Sequence, residues 1–564
     1  MMNKKKSRIN ILLLSMVFPL AISFLYGQEK PAPPKREGAV PVDTTVATDQ
    51  KLPQIDLPEF QITGNERIDL PQFSKPSLEE DNVFDASGWK PGPGRRENSS
   101  LDIGGGIKNQ VNFGGTPASV NGKAIVGYGS YQTPFLDGWF GQNFGTFDFL
   151  LKSGYTSSRG FHPNSDYRKA HGSLSGGTYL SNETDLFAGA RINGIIGFRG
   201  EGYGLYGSDV PQRERTVNGF LSDVVVSSAQ NAPLTYTSGL HLQATTVSDS
   251  IRTSETLLGF DVSANKDVDG FDVKGDFNFW SSFYSAPSKT NNPYHSVFSL
   301  SVRRTIGDRF DVSGGIGVYF ARGSDTKSIT RLYPRIGAAW YANDWMMLFA
   351  RYEPFLQRNE LAPMMKTNPY LVNDIRIRHQ EVFHNISFGV EAELAKEIKG
   401  RVSLNHRLVR NQPIFVDGAS RGLWTAEYAG VTRTISFEAS VYADITSRDH
   451  LAGSFELRAN KNSVTEKRIP YYPSALVSGL YRHTFPFGLA LGANMQLVGQ
   501  QYTDVQNALP IKAFVLFDFI AEYAVGYGFG VNGTVNNAFN KPHRWWQGYQ
   551  ATPRAASLAL TYSW

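Results

Sequence analysis

The sequence predicts an all-β protein, a transmembrane antiparallel β-barrel of about 22 strands preceded by a disordered, proline-rich arm. Three observations support this fold. From about Ser99 onward, segments of roughly 10–14 residues alternate between apolar and polar side chains. The connections between these segments alternate between short turns and long loops, as in outer-membrane barrels. After the N-terminal leader, no apolar run reaches the length of a transmembrane helix.

The composition excludes several classes of protein. The 564 residues include no cysteine, which excludes disulfide scaffolds, zinc–thiolate sites and thiol nucleophiles. The formal net charge of +5 falls to about +1 once Lys4, Lys5, Lys6 and Arg8 are set aside as part of the leader. We therefore expect no nucleic-acid partner.

Residues 1–27 predict a secretory signal peptide. A basic start is followed by the mostly apolar stretch Ile9–Tyr26, and Gly27 offers a small residue for cleavage. The alternative is an uncleaved anchor helix, but Pro19 within the apolar stretch favours the signal peptide. We expect an exported protein.

Residues 28–98 predict a disordered arm. They contain ten of the 29 prolines, with thirteen acidic and nine basic residues and few aliphatic ones. Such a segment buries too little apolar surface to offset the entropy of ordering. The hexapeptide at 55–60 (IDLPEF) recurs at 68–73 as IDLPQF. Each copy suits strand addition to a partner's sheet edge, and the alternative is a linker that happens to repeat.

Residues 99–564 predict the barrel. At about 21 residues per strand and connection, they provide about 22 strands, and 20 to 24 would be acceptable. The alternative, a soluble protein of several sandwiches, has shorter strands. The long loops, 199–213, 354–380, 461–470 and 541–553, are expected to face outward. The short turns at 307–308, 342–344 and 448–449 are expected on the periplasmic side, in the outer membrane of a Gram-negative bacterium.

The C-terminal segment predicts a closing strand with an insertion signal. Leu558, Leu560, Tyr562 and Trp564 point to one face and the intervening residues to the other. We expect the outer-membrane barrel insertion machinery to read this aromatic end, and lipid to contact it. The alternative is an ordinary terminal strand.

Several motifs in residues 328–564 resemble those of the TonB-dependent receptor superfamily. Val535–Lys541 (VNNAFNK) is similar to its penultimate-strand signature, and Gly548-Tyr549 with Pro553-Arg554 to its final loop. Leu332–Gly337 (LYPRIG) resembles another strand motif. A further stretch is matched by Asn368-Pro369-Tyr370-Leu371, Glu381, Asn385 and Gly389. The resemblance implies an outer-membrane barrel that transports a solute.

One departure from that family concerns its plug domain. Only the 71-residue arm is available where the family carries a folded plug, so the chain resembles a plug-less relative. A segment similar to a TonB box, which would bind a TonB-type energy-coupling protein, comprises Leu57, Pro58, Glu59, Phe60, Gln61, Ile62 and Thr63. A barrel this wide needs closing by inward-folded loops, by the arm or by a partner protein that fills the lumen.

No motif predicts an enzyme, a cofactor or a metal site. His379, Glu381 and His384 are the nearest approach to a metal cluster, but their spacing favours loop or wall positions. Trp545-Trp546 could stack on a ring ligand, although anchoring the loop base at the membrane interface explains them better. Solute transport, by energy-coupled import or as a passive pore, is therefore the expected function. The alternative is a non-transporting structural or assembly subunit of an outer-membrane complex.

Overall fold

The computed structural model describes residues 122–564, apart from residue 146 and segments 182–186, 230–231 and 396–397. These residues form one closed antiparallel barrel with 22 strand positions, which confirms the predicted fold and count. The barrel closes because β1 (Gly122–Gly129) pairs with both β2 (Thr133–Asn143) and β27 (Ala555–Ser563). The leader, the arm with its TonB-box-like segment and residues 99–121 lie outside the described residues.

The wall is a meander in which strands adjacent in the chain are adjacent in the barrel. Its strands between the first two and the last are β3 Phe147–Ser158, β4 Tyr167–Tyr179, β5 Arg191–Gly204, β6 Glu214–Ser227, β7 Thr235–Ser248, β8 Arg252–Val268, β9 Phe271–Ser285, β10 Tyr294–Ile306, β11 Phe310–Arg322, β12 Ile329–Asn343, β13 Met346–Tyr352, β14 Phe355–Gln357, β15 Gln380–Ala395, β16 Ile398–Arg410, β19 Val431–Thr446, β20 Asp449–Asn462, β21 Ala475–Thr484, β22 Leu489–Val498, β25 Phe514–Gly526 and β26 Phe529–Asn536. β13 and β14 share one position in the wall, since both pair with β15.

Three smaller elements lie within the loops. They are the hairpin of β17 (Pro413–Asp417) and β18 (Trp424–Tyr428), the short pair β23 (Gln501–Tyr502) and β24 (Pro510–Ile511), and helix α1 (Leu361–Thr367). Within the described ranges, no helix has the length and apolar character needed to cross a membrane.

The two faces of the wall differ as the alternation predicts. In β27, Leu558, Leu560 and Tyr562 are exposed on the outer face, whereas Ala559 and Thr561 are buried on the inner face. A closed barrel pairs its strands with one another around the wall, so an apolar outer surface can contact lipid. The predicted direction of the C-terminal side chains is confirmed, and their recognition by insertion machinery stays a prediction.

The inner face is polar and carries ion pairs. His241 in β7 lies between two carboxylates of neighbouring strands, with Nδ1 3.0 Å from Asp223 Oδ1 and the other ring nitrogen against Asp261. Arg303 in β10 donates to Asp272 in β9 at 2.5 Å. Charged groups in this position indicate a wet lumen.

The connections separate into two rims. At the short-turn rim, 269–270, 344–345, 447–448 and 527–528 are two-residue turns. Asp269 and Gly270 have φ of 52° and 78°, the left-handed conformation that such hairpins require. At the long-loop rim lie 358–379, 411–430, 463–474, 499–513 and 537–554. The loop predicted to begin at Arg199 begins only at Leu205, because β5 continues to Gly204.

Candidate functional site

The long loops fold together into a buried apolar cluster at the long-loop rim, here called the mouth cluster. Its members come from loops on many sides of the barrel and from the upper ends of several strands. The loop contributions include Leu205, Tyr206, Leu361, Met364, Met365, Tyr370, Leu371, Ile375, Ile377, Phe415, Leu423, Trp424, Ala426, Tyr471, Ile511, Trp545, Trp546, Tyr549 and Ala551. Loops that usually lie in solvent here form a core.

Aromatic rings form the centre of the mouth cluster. Trp424 lies 5.3 Å from Trp546 and 5.6 Å from Tyr549 between ring centroids, and Tyr549 stacks on Tyr370 at 3.6 Å. Tyr471 packs on Trp546 at 4.4 Å and accepts a hydrogen bond from the Trp424 indole N–H at 3.0 Å. Each ring comes from a different loop except for the pair in 537–554, so this centre joins four loops.

Hydrogen bonding satisfies the polar ends of these rings. The Tyr549 hydroxyl donates to the Gly422 carbonyl at 2.7 Å. Burial raises the pKa of Tyr471 and of Tyr549 above the ordinary range of a phenol, which keeps both hydroxyls protonated. Aromatic pairs of this geometry add about 0.5–1.5 kcal/mol each beyond the area that they bury.

The longest loop, 358–379, here called the inward loop, is attached to wall strands far from its own. Its Pro369 carbonyl accepts hydrogen bonds from Tyr203 Oη at 2.9 Å in β5 and from Arg215 Nη1 at 2.6 Å in β6. Arg215, fully buried, forms a 2.6 Å ion pair with Asp249. Asn373 donates from Nδ2 to the Asp249 carboxylate at 2.9 Å. The inward loop leaves the wall at β14 and reaches the wall at β5 and β6.

Further contacts hold the two ends of the inward loop. The Leu361 backbone N–H donates to Glu255 in β8 at 2.6 Å, at the start of α1. Tyr284 in β9 donates to the Ile375 carbonyl at 2.5 Å. Although burial opposes its ionisation, the charge and hydrogen bonds of Arg215 lower the pKa of Asp249 below its usual value, which preserves the ion pair near neutral pH.

His379 lies at the end of the inward loop in a closed environment. Its Nδ1 accepts from the Asn359 backbone N–H at 3.2 Å, and its Nε2 lies 3.1 Å from the Tyr294 carbonyl. Burial, followed by the neighbouring His295 and Arg358, lowers the pKa of His379 to about 3. The ring is therefore neutral at physiological pH, with its N–H on Nε2.

The structure separates the three residues that most resembled metal ligands. Glu381 accepts a hydrogen bond from Tyr333 at 2.7 Å and pairs with Arg331 and Arg410. His384 packs against His406 in β16 at 5.1 Å between ring centroids. Within the described part of the chain, no group of three or more His, Asp or Glu side chains has the arrangement of a metal site.

One sequence interpretation is wrong. Trp545 and Trp546 do not anchor a loop base at the membrane interface, because both are buried in the mouth cluster. The interpretation failed because an aromatic pair near a strand end suits either environment, and contacts with Trp424 and Tyr471 decide between them. Arg215, Asp249 and Trp424 were missed, and the one available signal was that each of the longest loops carries Trp or Tyr.

Comparison with known proteins identifies the barrel type. No protein-family model matches the chain, and no curated protein matches it. Among solved structures, the FrpB iron transporter from Neisseria meningitidis (F3-3 variant) matches with a TM-score of 0.62 at 13% identity, over 80% of this chain and 82% of that one. The ferric-catecholate import receptor Fiu from E. coli K12 matches with a TM-score of 0.59 at 13% identity, over 79% and 82%.

A third structure supports the same fold. BauA, the ferric preacinetobactin receptor from Acinetobacter baumannii, matches with a TM-score of 0.60 at 13% identity, over 80% of each chain. These three proteins are transporters or receptors with the barrel of TonB-dependent receptors. The likeness therefore shows the fold that the motifs at 328–564 had indicated.

Proposed function

Because this chain has the 22-stranded barrel fold of TonB-dependent receptors, we propose that it moves a solute across the outer membrane of a Gram-negative cell through its own lumen. In this proposal, the mouth cluster closes the outer end of the lumen between transport events. The proposal rests on one observation: loops from many sides of the barrel meet in a buried core at one rim. A barrel of this strand number encloses a lumen wide enough to leak unless something closes it.

The two terminal regions are assigned roles in export, energy coupling and membrane insertion. We propose that residues 1–27 direct export and that the arm, 28–98, lies in the periplasm. There the TonB-box-like segment, 57–63, would engage a TonB-type energy-coupling protein by strand addition. The insertion machinery would place the barrel in the membrane by reading the strand that ends at Trp564.

The cargo class is suggested only by the structural neighbours. FrpB is an iron transporter, Fiu a ferric-catecholate import receptor and BauA a ferric preacinetobactin receptor. Iron chelates are therefore the first cargo to test.

The experiment compares the full chain with a deletion of residues 57–63 in living cells. A matched control deletes 70–76, which carries the second copy of the Leu-Pro-acid/amide-Phe motif without the following Gln-Ile-Thr. We measure uptake of radiolabelled ferric catecholate, cross-linking to the energy-coupling protein, and swelling of liposomes containing purified protein in graded sugars.

The outcomes separate three functions. Energy-coupled import predicts that only the 57–63 deletion abolishes both uptake and cross-linking, with little swelling. A passive pore predicts size-limited swelling that neither deletion changes. A structural or assembly subunit predicts neither uptake nor swelling and a stable partner after purification, which would contradict the proposal.

A further inference from the structure

The barrel wall has a seam between β12 and its neighbour. β13 pairs with β12 as far as Tyr352 opposite Ile336, and there the ladder stops. Above that point β14 pairs only with β15. Among the described residues, the 329–335 half of β12 therefore has a ladder partner on its β11 side alone.

β14 keeps its ladder with β15 but not with β12, and its side chains pack against the inner face of the neighbouring strands. Leu356 is fully buried in a cluster with Val297 of β10, Tyr319 of β11 and Tyr333 of β12. Its carbonyl accepts a hydrogen bond from His295 Nε2 at 2.9 Å. The chain thus turns inward at the break between β13 and β14 and continues directly into the inward loop.

Side chains, rather than backbone, bridge the seam. Glu381 of β15 accepts from the Tyr333 hydroxyl at 2.7 Å and pairs with Arg331, and both partners belong to β12. Backbone groups at a sheet edge without a ladder partner are able to receive another strand.

The sequence beyond Tyr352 continues the β13 pattern in the register that β12 would need. Extending the ladder by steps of one residue places Arg335 opposite Glu353, Tyr333 opposite Phe355, and Leu332 opposite Leu356. Ile336 and Leu332 are exposed on the outer face, so Leu356 would join an apolar outer surface. Pro334 would face Pro354, and a pair of residues that cannot donate keeps such a ladder weak.

Two charges support this second register. Arg335 is only 3% exposed, and its Nε and Nη1 have no hydrogen-bond partner among the described residues. Glu353 is 8% exposed, and its Oε1 has no hydrogen-bond partner in that part of the chain, although the charges of Arg351 and Arg335 already act on it. A buried polar group left unpaired is costly. In the extended ladder, the two residues would be direct cross-strand neighbours on the inner face, where the existing attraction would become a hydrogen-bonded ion pair.

We propose that residues 353–357 exchange between the inner position seen here and a zipped position in the wall, paired with 331–335 of β12. Five residues span about 17 Å as a strand, so zipping would carry the start of the inward loop toward the rim and draw it out of the mouth cluster. The seam and the closure are then two parts of one gate. That zipping opens a route for solute rests on the proposed function, whereas the exchange itself does not.

A disulfide trap tests the exchange. Because the chain contains no cysteine, only the introduced thiols can form a disulfide. The trap is Leu332→Cys with Leu356→Cys in the full chain. Leu332 is 64% exposed on the outer face and Leu356 is 0% exposed on the inner side, so the observed position cannot form this bond. The matched control, Ile336→Cys with Tyr352→Cys, joins residues that are paired in both positions.

Oxidation is followed by gel mobility, and channel opening by conductance in planar bilayers. We expect both pairs to form disulfides and only the trap to raise conductance, reversibly with reductant. If the control cross-links completely and the trap does not, the exchange is refuted. If the trap cross-links without changing conductance, its link to the mouth is refuted. Neither result depends on uptake of a cargo, so failure here is distinct from failure of the proposed function.

A charge exchange provides an independent measurement on the same trap. Arg335→Glu or Glu353→Arg alone should lower the yield of the 332–356 disulfide several-fold by opposing like charges, and the double substitution should restore it. Equal yields in all four proteins would contradict the proposed register, and loss of the heat-modifiable barrel band on gels would identify a variant that fails to fold.

Discussion

The two rims of this barrel differ in the length of their connections and in how tightly those connections pack. The fully described connections at the short-turn rim have two to four residues and only reverse the chain; they are 269–270, 307–309, 344–345, 447–448, 485–488 and 527–528. The long-loop rim includes connections of 22, 20, 18 and 15 residues, and these pack against one another. Trp345, at the short-turn rim, is 44% exposed, whereas Trp424, at the long-loop rim, is 1% exposed.

The difference shows that closure depends on loop length combined with apolar content. A short turn cannot reach the barrel axis, and a long polar loop would have no reason to leave solvent. The long loops satisfy both conditions, since 358–379, 411–430 and 537–554 carry Trp or Tyr into the mouth cluster and 499–513 carries Ile511.

Removing the inward loop should have the largest effect. We expect replacement of residues 359–378 by a short Gly-Ser linker to raise single-channel conductance roughly tenfold or more, because a lumen of this strand number is channel-sized. The matched control lengthens the short-turn rim at 307–309 with the same linker and should change little. A deletion variant that still conducts poorly would show that the seal lies in another part of the chain.

Substituting one tryptophan at each rim, Trp424 or Trp345, tests the difference in packing between the rims. Trp424→Ala should destabilise the closed mouth by about 3–5 kcal/mol, because it empties the aromatic centre. Trp345→Ala should change stability by about 0.5 kcal/mol or less. Tryptic cleavage within the inward loop, at Lys366 or Arg376, measures opening. Equal cleavage rates in the two variants would contradict a packed mouth.

Acid should destabilise the closed mouth through protonation of His379, with a smaller effect than the two preceding changes. The pKa of His379 is about 3 when buried, below the ordinary value of about 6.5, so its protonation favours the loop-out state. The contribution of neutral His379 to the stability of the closed mouth is therefore fully present above pH 6.5. Below that pH it falls by about 1.4 kcal/mol per pH unit, until the pKa of the buried ring is reached.

Protease protection of the inward loop at pH 7.5 and at pH 5.5 measures this loss. His379→Gln retains hydrogen-bonding groups without titrating and should reduce the acid sensitivity. His450 at the short-turn rim provides the control, since His450→Gln should leave the sensitivity unchanged. An undiminished pH response in His379→Gln would assign it to another group, such as the neighbouring His295.

The wall could be predicted from the sequence because its signal is local and repeated. An apolar residue at every second position, as in Leu558, Leu560 and Tyr562, states which face meets lipid without any knowledge of neighbours. The strand count followed from the average spacing. The short strand β14 was not predicted, because Phe355 and Leu356 are adjacent apolar residues after Pro354 and were assigned to the long loop 354–380.

The mouth cluster depends on contacts between distant parts of the chain, and no local pattern encodes them. Arg215 and Asp249 are 34 residues apart and belong to no motif. Trp424 meets Tyr471 and Trp546 only when three loops converge. The density of Trp and Tyr in the long loops was visible, but it indicated burial without identifying the partner.

The position of Trp546 and Tyr549 between the last two strands has a consequence for biogenesis. A seal that needs the connection between β26 and β27 is unfinished until the closing strand of the barrel has been exported and inserted. Truncated or partly inserted molecules would therefore keep an open lumen. A packed mouth cluster would indicate that insertion of the barrel is complete.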